Sequence, residues 1–208
     1  MREAVVLIHG IWLTGFELKP LAVRLKRSGF ETQHFSYPSI RRTPRENAER
    51  LHQRLQTVDA DIVHLVGHSL GGVVILHLFD RFPLQRPGRV LMLGSPLKSC
   101  LVAQRLSRIQ IAGKLLIGRA GDGGLLGCLP KWRGQRPLGV IAGSKSIGIG
   151  RVFVPDLPTP NDGTVAVEET RIPGIDMHLI GPWTHLSMLF SPEVAEASCA
   201  FLKTGRFE

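Results

Sequence analysis

Gly67-His68-Ser69-Leu70-Gly71-Gly72 sits between the apolar run Ile62-Val63-His64-Leu65-Val66 and a second one made by Val73, Val74, Ile75, Leu76, Leu78 and Phe79. A strand that breaks abruptly into a buried helix through Gly-x-Ser-x-Gly holds its serine at the tip of a tight elbow, with the hydroxyl exposed above the end of a sheet. Gly67 and Gly71 lack a Cβ, which lets strand and helix approach closely around the turn. The chemistry open to Ser69 there is nucleophilic attack, and a serine hydroxyl is a poor nucleophile until a base takes its proton. The rest of the chain must then supply that base, an acid to orient it, and N–H donors for an oxyanion.

The chain has eight histidines. His34, His52, His64, His77 and His178 fall within predicted strands or helices, and His68 is expected to point away from the serine oxygen. His185 lies in Gly181-Pro182-Trp183-Thr184-His185-Leu186, a loop between the last strand and the last helix, and is the expected base. The acid should precede it, because sheets of this kind order the set as serine, acid, histidine. Asp162, in the turn-like Asn161-Asp162-Gly163-Thr164-Val165, is the candidate, with Asp156 its rival. Asp162 would hold one tautomer of His185 and stabilise the imidazolium. The oxyanion donors are expected to be two backbone N–H groups. One is that of Leu70, at a helix start where the dipole favours negative charge; the other is that of Ile11, in the loop His9-Gly10-Ile11-Trp12. His9 is expected to brace that loop. A ring protonated in acid cannot act as base, so activity should fall on acidification.

These residues need a scaffold that gathers strand ends along one edge. Strands are predicted at about Ala4–His9, Glu31–Ser36, Ile62–Val66, Arg89–Gly94, Leu138–Ala142 and Asp176–Ile180. Helices are predicted at about Glu17–Arg27, Pro44–Val58, Leu70–Phe82 and Pro192–Lys203. The alternation implies an α/β fold, a mostly parallel six-stranded sheet with helices on both faces, in one domain over residues 1–208. Leu97 to Gln135 breaks the rhythm. Its first half has apolar residues at helical spacing with Arg105, Arg108 and Lys114 interleaved, and its second is glycine-rich. A long insertion of this kind is expected to be a cap over the catalytic face.

The net charge is +9, and Lys98 to Arg136 contains eight basic residues against one acid, Asp122. Concentrated positive charge attracts anionic lipid surfaces, phosphates or acidic substrates, which points to an anionic membrane surface as a partner of the cap. No nucleic-acid partner is expected. No apolar run reaches the ~20 residues needed to span a bilayer. The short run Val5-Val6-Leu7-Ile8 is not a signal-peptide core, so a cytoplasmic location is expected. Cys100, Cys128 and Cys199 are read as free thiols, with a Cys100–Cys128 bridge as the alternative. Trp12 and Trp183, with Trp132, are candidate substrate-contacting residues.

The motifs His9-Gly10-Ile11-Trp12, Gly67 to Gly72, Asn161 to Val165 and Thr184-His185-Leu186, in this order and spanning nearly the whole chain, resemble the α/β-hydrolase superfamily, in its small esterase and lipase branch. The resemblance implies a serine hydrolase acting on small-molecule or lipid esters, with no metal and no organic cofactor. Acyl transfer to another alcohol, thioester cleavage, or a non-catalytic lipid-surface role on the same fold are the alternatives. The chain departs from the His-Gly-Gly-Gly subgroup in its oxyanion loop, and its sheet begins at what is usually the family's third strand.

Overall fold

β1 (Glu3–Ile8), β2 (Glu31–Phe35), β3 (Ile62–His68), β4 (Val90–Leu93), β5 (Leu138–Gly143) and β6 (Met177–Gly181) form one parallel sheet in the order β2-β1-β3-β4-β5-β6, in a computed structural model that describes residues 2–208. The four central strands are apolar almost throughout because both faces of the sheet are covered. Side chains alternate between two cores, as strand geometry requires. Ala4, Val6 and Ile8 face one core, with Leu65, Met92 and Val140, while Val5 and Leu7 face the other, with Val66, Leu91 and Ile141.

The first core is closed by α2 (Pro44–Gln56) and α3 (Leu70–Arg81), the second by α1 (Lys19–Arg27) and α7 (Pro192–Thr204). α2 starts with a capping box. The Thr43 hydroxyl accepts the Glu46 N–H at 3.1 Å and the Glu46 carboxylate accepts the Thr43 N–H at 2.7 Å. α3 is buried from Leu70 through Phe79, so its apolar residues surround it instead of forming a stripe. Emptying that layer by Phe79→Ala would cost about 3–5 kcal/mol.

The predicted helix over Glu17–Arg27 begins instead with a 3₁₀ turn, Phe16–Leu18, and becomes α-helical at Lys19. Pro20 has no N–H to donate to the Phe16 carbonyl, so an α-helix cannot run through the first turn. The helical half of the 97–135 insertion is also divided, into α4 (Leu101–Ser107) and α5 (Gln110–Ile117). They cross so closely that a Cβ on Gly113 would lie 1.8 Å from the Leu106 carbonyl oxygen. The insertion is therefore not one unit over one face. α4 and α5 stand at the carboxyl edge of the sheet, whereas residues 122–136 run down the outside of α3. There the Gly123 carbonyl meets His77, Trp132 packs edge-on against Phe79, and Arg136 reaches the Val63 carbonyl at 2.7 Å. A short helix, α6 (Gly150–Phe153), follows β5 in a stretch too glycine-rich to show periodicity. Among the described residues no helix is long and apolar enough to cross a membrane.

β1 leads to β2 on one side and is flanked by β3 on the other, so the strand order reverses between β1 and β3. In open parallel sheets, ligands bind beyond the strand ends at such a reversal. The chain leaves β1 there as His9-Gly10-Ile11-Trp12 and leaves β3 as Ser69.

Candidate active site

Ser69 occupies φ 52°, ψ −119°, a conformation unfavourable for a side chain with a Cβ. Such strain costs of order 1–3 kcal/mol and persists only where neighbours impose it. Here its N–H continues the β3–β4 ladder to the Leu93 carbonyl at 2.9 Å, while α3 starts at the next residue. Gly71 allows the turn: a Cβ there would lie 2.3 Å from the Ile8 carbonyl oxygen. The sequence of the elbow thus sets how closely α3 crosses β1; Ser69 borders the cleft but is largely buried, not exposed as the motif alone suggests.

Asp162 and His185 come together from loops 23 residues apart. His185 Nδ1 lies 2.7 Å from Asp162 Oδ2, and the His185 N–H donates to the Asp162 backbone carbonyl at 2.8 Å. A carboxylate accepts, so the proton sits on Nδ1 and Nε2 is left bare. The other carboxylate oxygen, Oδ1, accepts the Thr164 N–H at 2.9 Å and the Val165 N–H at 2.7 Å. Asp162 is almost fully buried, and these three donors satisfy its side-chain oxygens there. Asp156, the rival, is exposed on a turn after α6.

His9 braces the loop that follows β1. The Tyr37 N–H donates to His9 Nε2 at 3.2 Å, so the ring proton is on Nδ1, which donates to the Gly10 carbonyl at 2.7 Å. Tyr37 also stacks on His9, with centroids 4.2 Å apart, and donates its hydroxyl to the His9 carbonyl at 2.7 Å. Burial lowers the pKa of His9, which keeps it in this neutral form. Pinning the Gly10 carbonyl fixes the peptide plane that carries the Ile11 N–H. Among the described residues neither that amide nor the Leu70 N–H has an acceptor within the protein.

Ser69, His185, Ile11 and Trp12 border one cleft of about 360 Å³, together with Leu13, Ile147, Ile149 and Leu186. Its walls are mostly apolar, and none of the bordering residues is Lys or Arg. Trp12 has its own positive φ, 61°, and its Nε1 donates to the Leu116 carbonyl at the end of α5, at 2.7 Å. Trp183 stands apart from the cleft, contrary to expectation. Its ring lies over Gly181 and its Nε1 donates to Glu193 at 3.1 Å, so it packs α7 onto the sheet. Trp132 is buried against Phe79. The three cysteines are free, Cys100 buried and Cys128 exposed, and burial raises the Cys100 thiol to about 12.

Three further residues shape the site. His68 donates its Nε2–H to the His185 carbonyl at 3.0 Å, and the two rings lie 4.7 Å apart. Burial first, and the neighbouring His185 second, push its pKa well below the usual histidine value, so it stays uncharged beside His185. Gly94, at the end of β4 with φ 54°, leaves room for Asp162 and His185, since a Cβ there would lie 3.0 Å from Asp162 Oδ2. Glu169 accepts the Leu101 N–H at 2.6 Å and the Ala166 N–H at 2.8 Å, tying the start of α4 to the loop that carries Asp162. His68 and Gly94 are visible in the sequence as parts of Gly-His-Ser and of a strand-terminal glycine. Glu169 has no local signal.

A parallel sheet with an elbow serine, a buried carboxylate and a facing imidazole at its switch point defines a hydrolase-type α/β architecture. The chain belongs to the alpha/beta hydrolase family, whose sequence signature matches residues 5–197. Solved structures of similar fold include a Bacillus licheniformis lipase in its mature form. It has a TM-score of 0.77 and 18% identity, over 99% of this chain and 92% of that one. A metagenomic carboxyl esterase is similar with a TM-score of 0.67 and 17% identity, over 90% of this chain and 65% of that one. A carboxylesterase of Bacillus subtilis is similar with a TM-score of 0.59 and 17% identity, over 98% and 84%. No curated protein sequence matches.

Proposed function

We propose that this protein hydrolyses carboxylic esters through an acyl-enzyme intermediate on Ser69. The observation that carries the reading is the 2.7 Å contact of His185 with the buried Asp162 carboxylate, beside the cleft that also holds Ser69. The bare Nε2 of His185 takes the Ser69 proton as Oγ attacks the ester carbonyl carbon. The Ile11 and Leu70 N–H groups stabilise the oxygen on which negative charge develops. The tetrahedral species collapses as Nε2–H protonates the departing alcohol. Water then gives its proton to His185 and attacks the acyl carbon, which frees the acid and restores Ser69.

The mostly apolar walls suit an uncharged acyl group, and the lipases and carboxylesterases of similar fold are consistent with that chemistry. The test is labelling with a fluorophosphonate and turnover of a series of acyl esters. Wild type is labelled and turns over, whereas Ser69→Ala is not labelled and loses roughly 10⁶ in kcat. Equal labelling of Ser69→Ala would refute the assignment. Products analysed with and without an added alcohol separate hydrolysis from acyl transfer.

A further inference from the structure

Large apolar side chains stand in water around the mouth of the cleft. Trp12, Ile147, Ile149 and Leu186 border it, and Ile147 and Ile149 are each 64% exposed. Ile111 and Leu115, one turn apart on α5, are 75% and 71% exposed. These residues form one surface. The Trp12 Nε1 bond to Leu116 joins the oxyanion loop to α5, and the loop at Gly150 packs on Val102 of α4.

The charge next to these apolar residues is mostly positive. Residues 97–121 and 138–155, which carry the exposed apolar residues of α5 and of the loop after β5, contain seven Lys and Arg and no Asp or Glu, while the acids near this edge are Glu46, Asp122, Asp156, Asp162, Glu168 and Glu169. Lys98 and Arg119 are paired, with Glu168 and Glu46. Arg105, Arg108, Lys114, Lys145 and Arg151 make no ion pair among the described residues. Arg108, Ile111 and Lys114 border a single shallow depression, so cations flank the exposed apolar residues directly. Apolar side chains that enter the headgroup region, flanked by cations, are what holds a protein at an anionic bilayer. A second copy of this chain is disfavoured as the occupant, because it would bring two faces of the same positive charge together.

We infer that this face docks the protein on an anionic lipid surface, with the mouth of the cleft against the bilayer. The docking is independent of catalysis. That the substrate is an ester drawn from the membrane rests on the ester-hydrolase reading above.

The experiment uses the full chain with Ser69→Ala, which leaves lipids intact, and vesicles of phosphatidylcholine alone or mixed with phosphatidylglycerol. Of the three tryptophans, Trp132 and Trp183 are buried and Trp12 is about half exposed, so a blue shift of emission reports on the docking face. Sedimentation and a blue shift are expected with the phosphatidylglycerol vesicles only, and both should weaken in high salt as the screening length shrinks. Arg105→Gln, Arg108→Gln and Lys114→Gln combined should lower the partition coefficient on the order of a hundredfold. Ile111→Ser with Leu115→Ser should abolish the shift. In the Ser69 background both sets should keep wild-type fluorophosphonate labelling and turnover of a soluble short-chain ester, which reports an intact fold. Absence of binding to the anionic vesicles, equal binding to both kinds, or variants that bind like the parent would overturn the inference. So would a concentration-dependent dimer that buries Trp12. Docking that persists while wild type fails to turn over any ester would sink the hydrolase reading alone.

Discussion

His68 donates its Nε2–H to the backbone carbonyl of His185 at 3.0 Å, so the residue before Ser69 holds the loop that carries His185. The two elements are 117 residues apart in the chain, and this bond fixes their separation. Its partner accepts only, which requires the proton on Nε2 and leaves the buried Nδ1 bare. His68→Phe should lower kcat about tenfold with little change in KM, the loss of one positioning hydrogen bond. His68→Gln, which keeps a donor, should recover part of it. An unchanged kcat in His68→Phe would remove His68 from any positioning role.

Asp162→Asn separates charge and tautomer from geometry. The amide oxygen can still accept the Thr164 and Val165 N–H groups, but the amide nitrogen now donates toward His185 Nδ1 and drives the ring proton to Nε2. A kcat loss of roughly 10⁴ is expected, with the fold retained by circular dichroism. A loss of tenfold or less, on the order of one ordinary hydrogen bond, would argue that another group orients the base.

Gly94→Ala tests the space made at the end of β4. The new Cβ would lie 3.0 Å from Asp162 Oδ2 and 3.2 Å from His185 Nδ1, on a backbone at φ 54°. Displacement of the pair should cost on the order of 10² in kcat. Stability should fall by about 1 kcal/mol or more, measured by denaturant titration.

Stability should also decline on acidification, because burial lowers the pKa of His9, His64, His68 and His77 in the folded state. The unfolded chain titrates near the ordinary value of about 6.5 and so binds more protons than the folded one below that pH. The stability contributed by keeping these rings neutral is complete above about pH 6.5 and is lost progressively below it. Each ring still neutral in the folded state adds a slope of about 1.4 kcal/mol per pH unit. Denaturant midpoints across this range should show the slope, and His68→Gln should reduce it by about one proton. A flat profile would contradict the assigned neutral states.

Much of this molecule was legible before its structure. Fully buried strands need continuous apolar runs, and the elbow needs Gly-x-Ser-x-Gly within a few residues, so β1, β3, β4, β5 and Ser69 all have local signals. Pro20 and Gly113 show where local reading falls short, since one removes a donor from an otherwise helical pattern and the other permits a crossing that periodicity cannot reveal. Trp183 was misjudged for a related reason. It neighbours Thr184 in the chain, yet successive side chains diverge, and its ring packs over Gly181, outside the cleft.

The sequence by itself determined the sheet, the order of the catalytic candidates and the concentration of positive charge, because each depends on spacing within a segment or on composition. Only the tertiary structure decided that His185 meets Asp162 and not Asp156, that His68 and Glu169 brace the loops that carry His185 and Asp162, and that exposed apolar residues from separate loops share one face with unpaired cations. Those relationships join residues from tens to more than a hundred positions apart. They arise when parallel strands bring their carboxyl ends to one edge, and no local pattern encodes which side chains then come within reach.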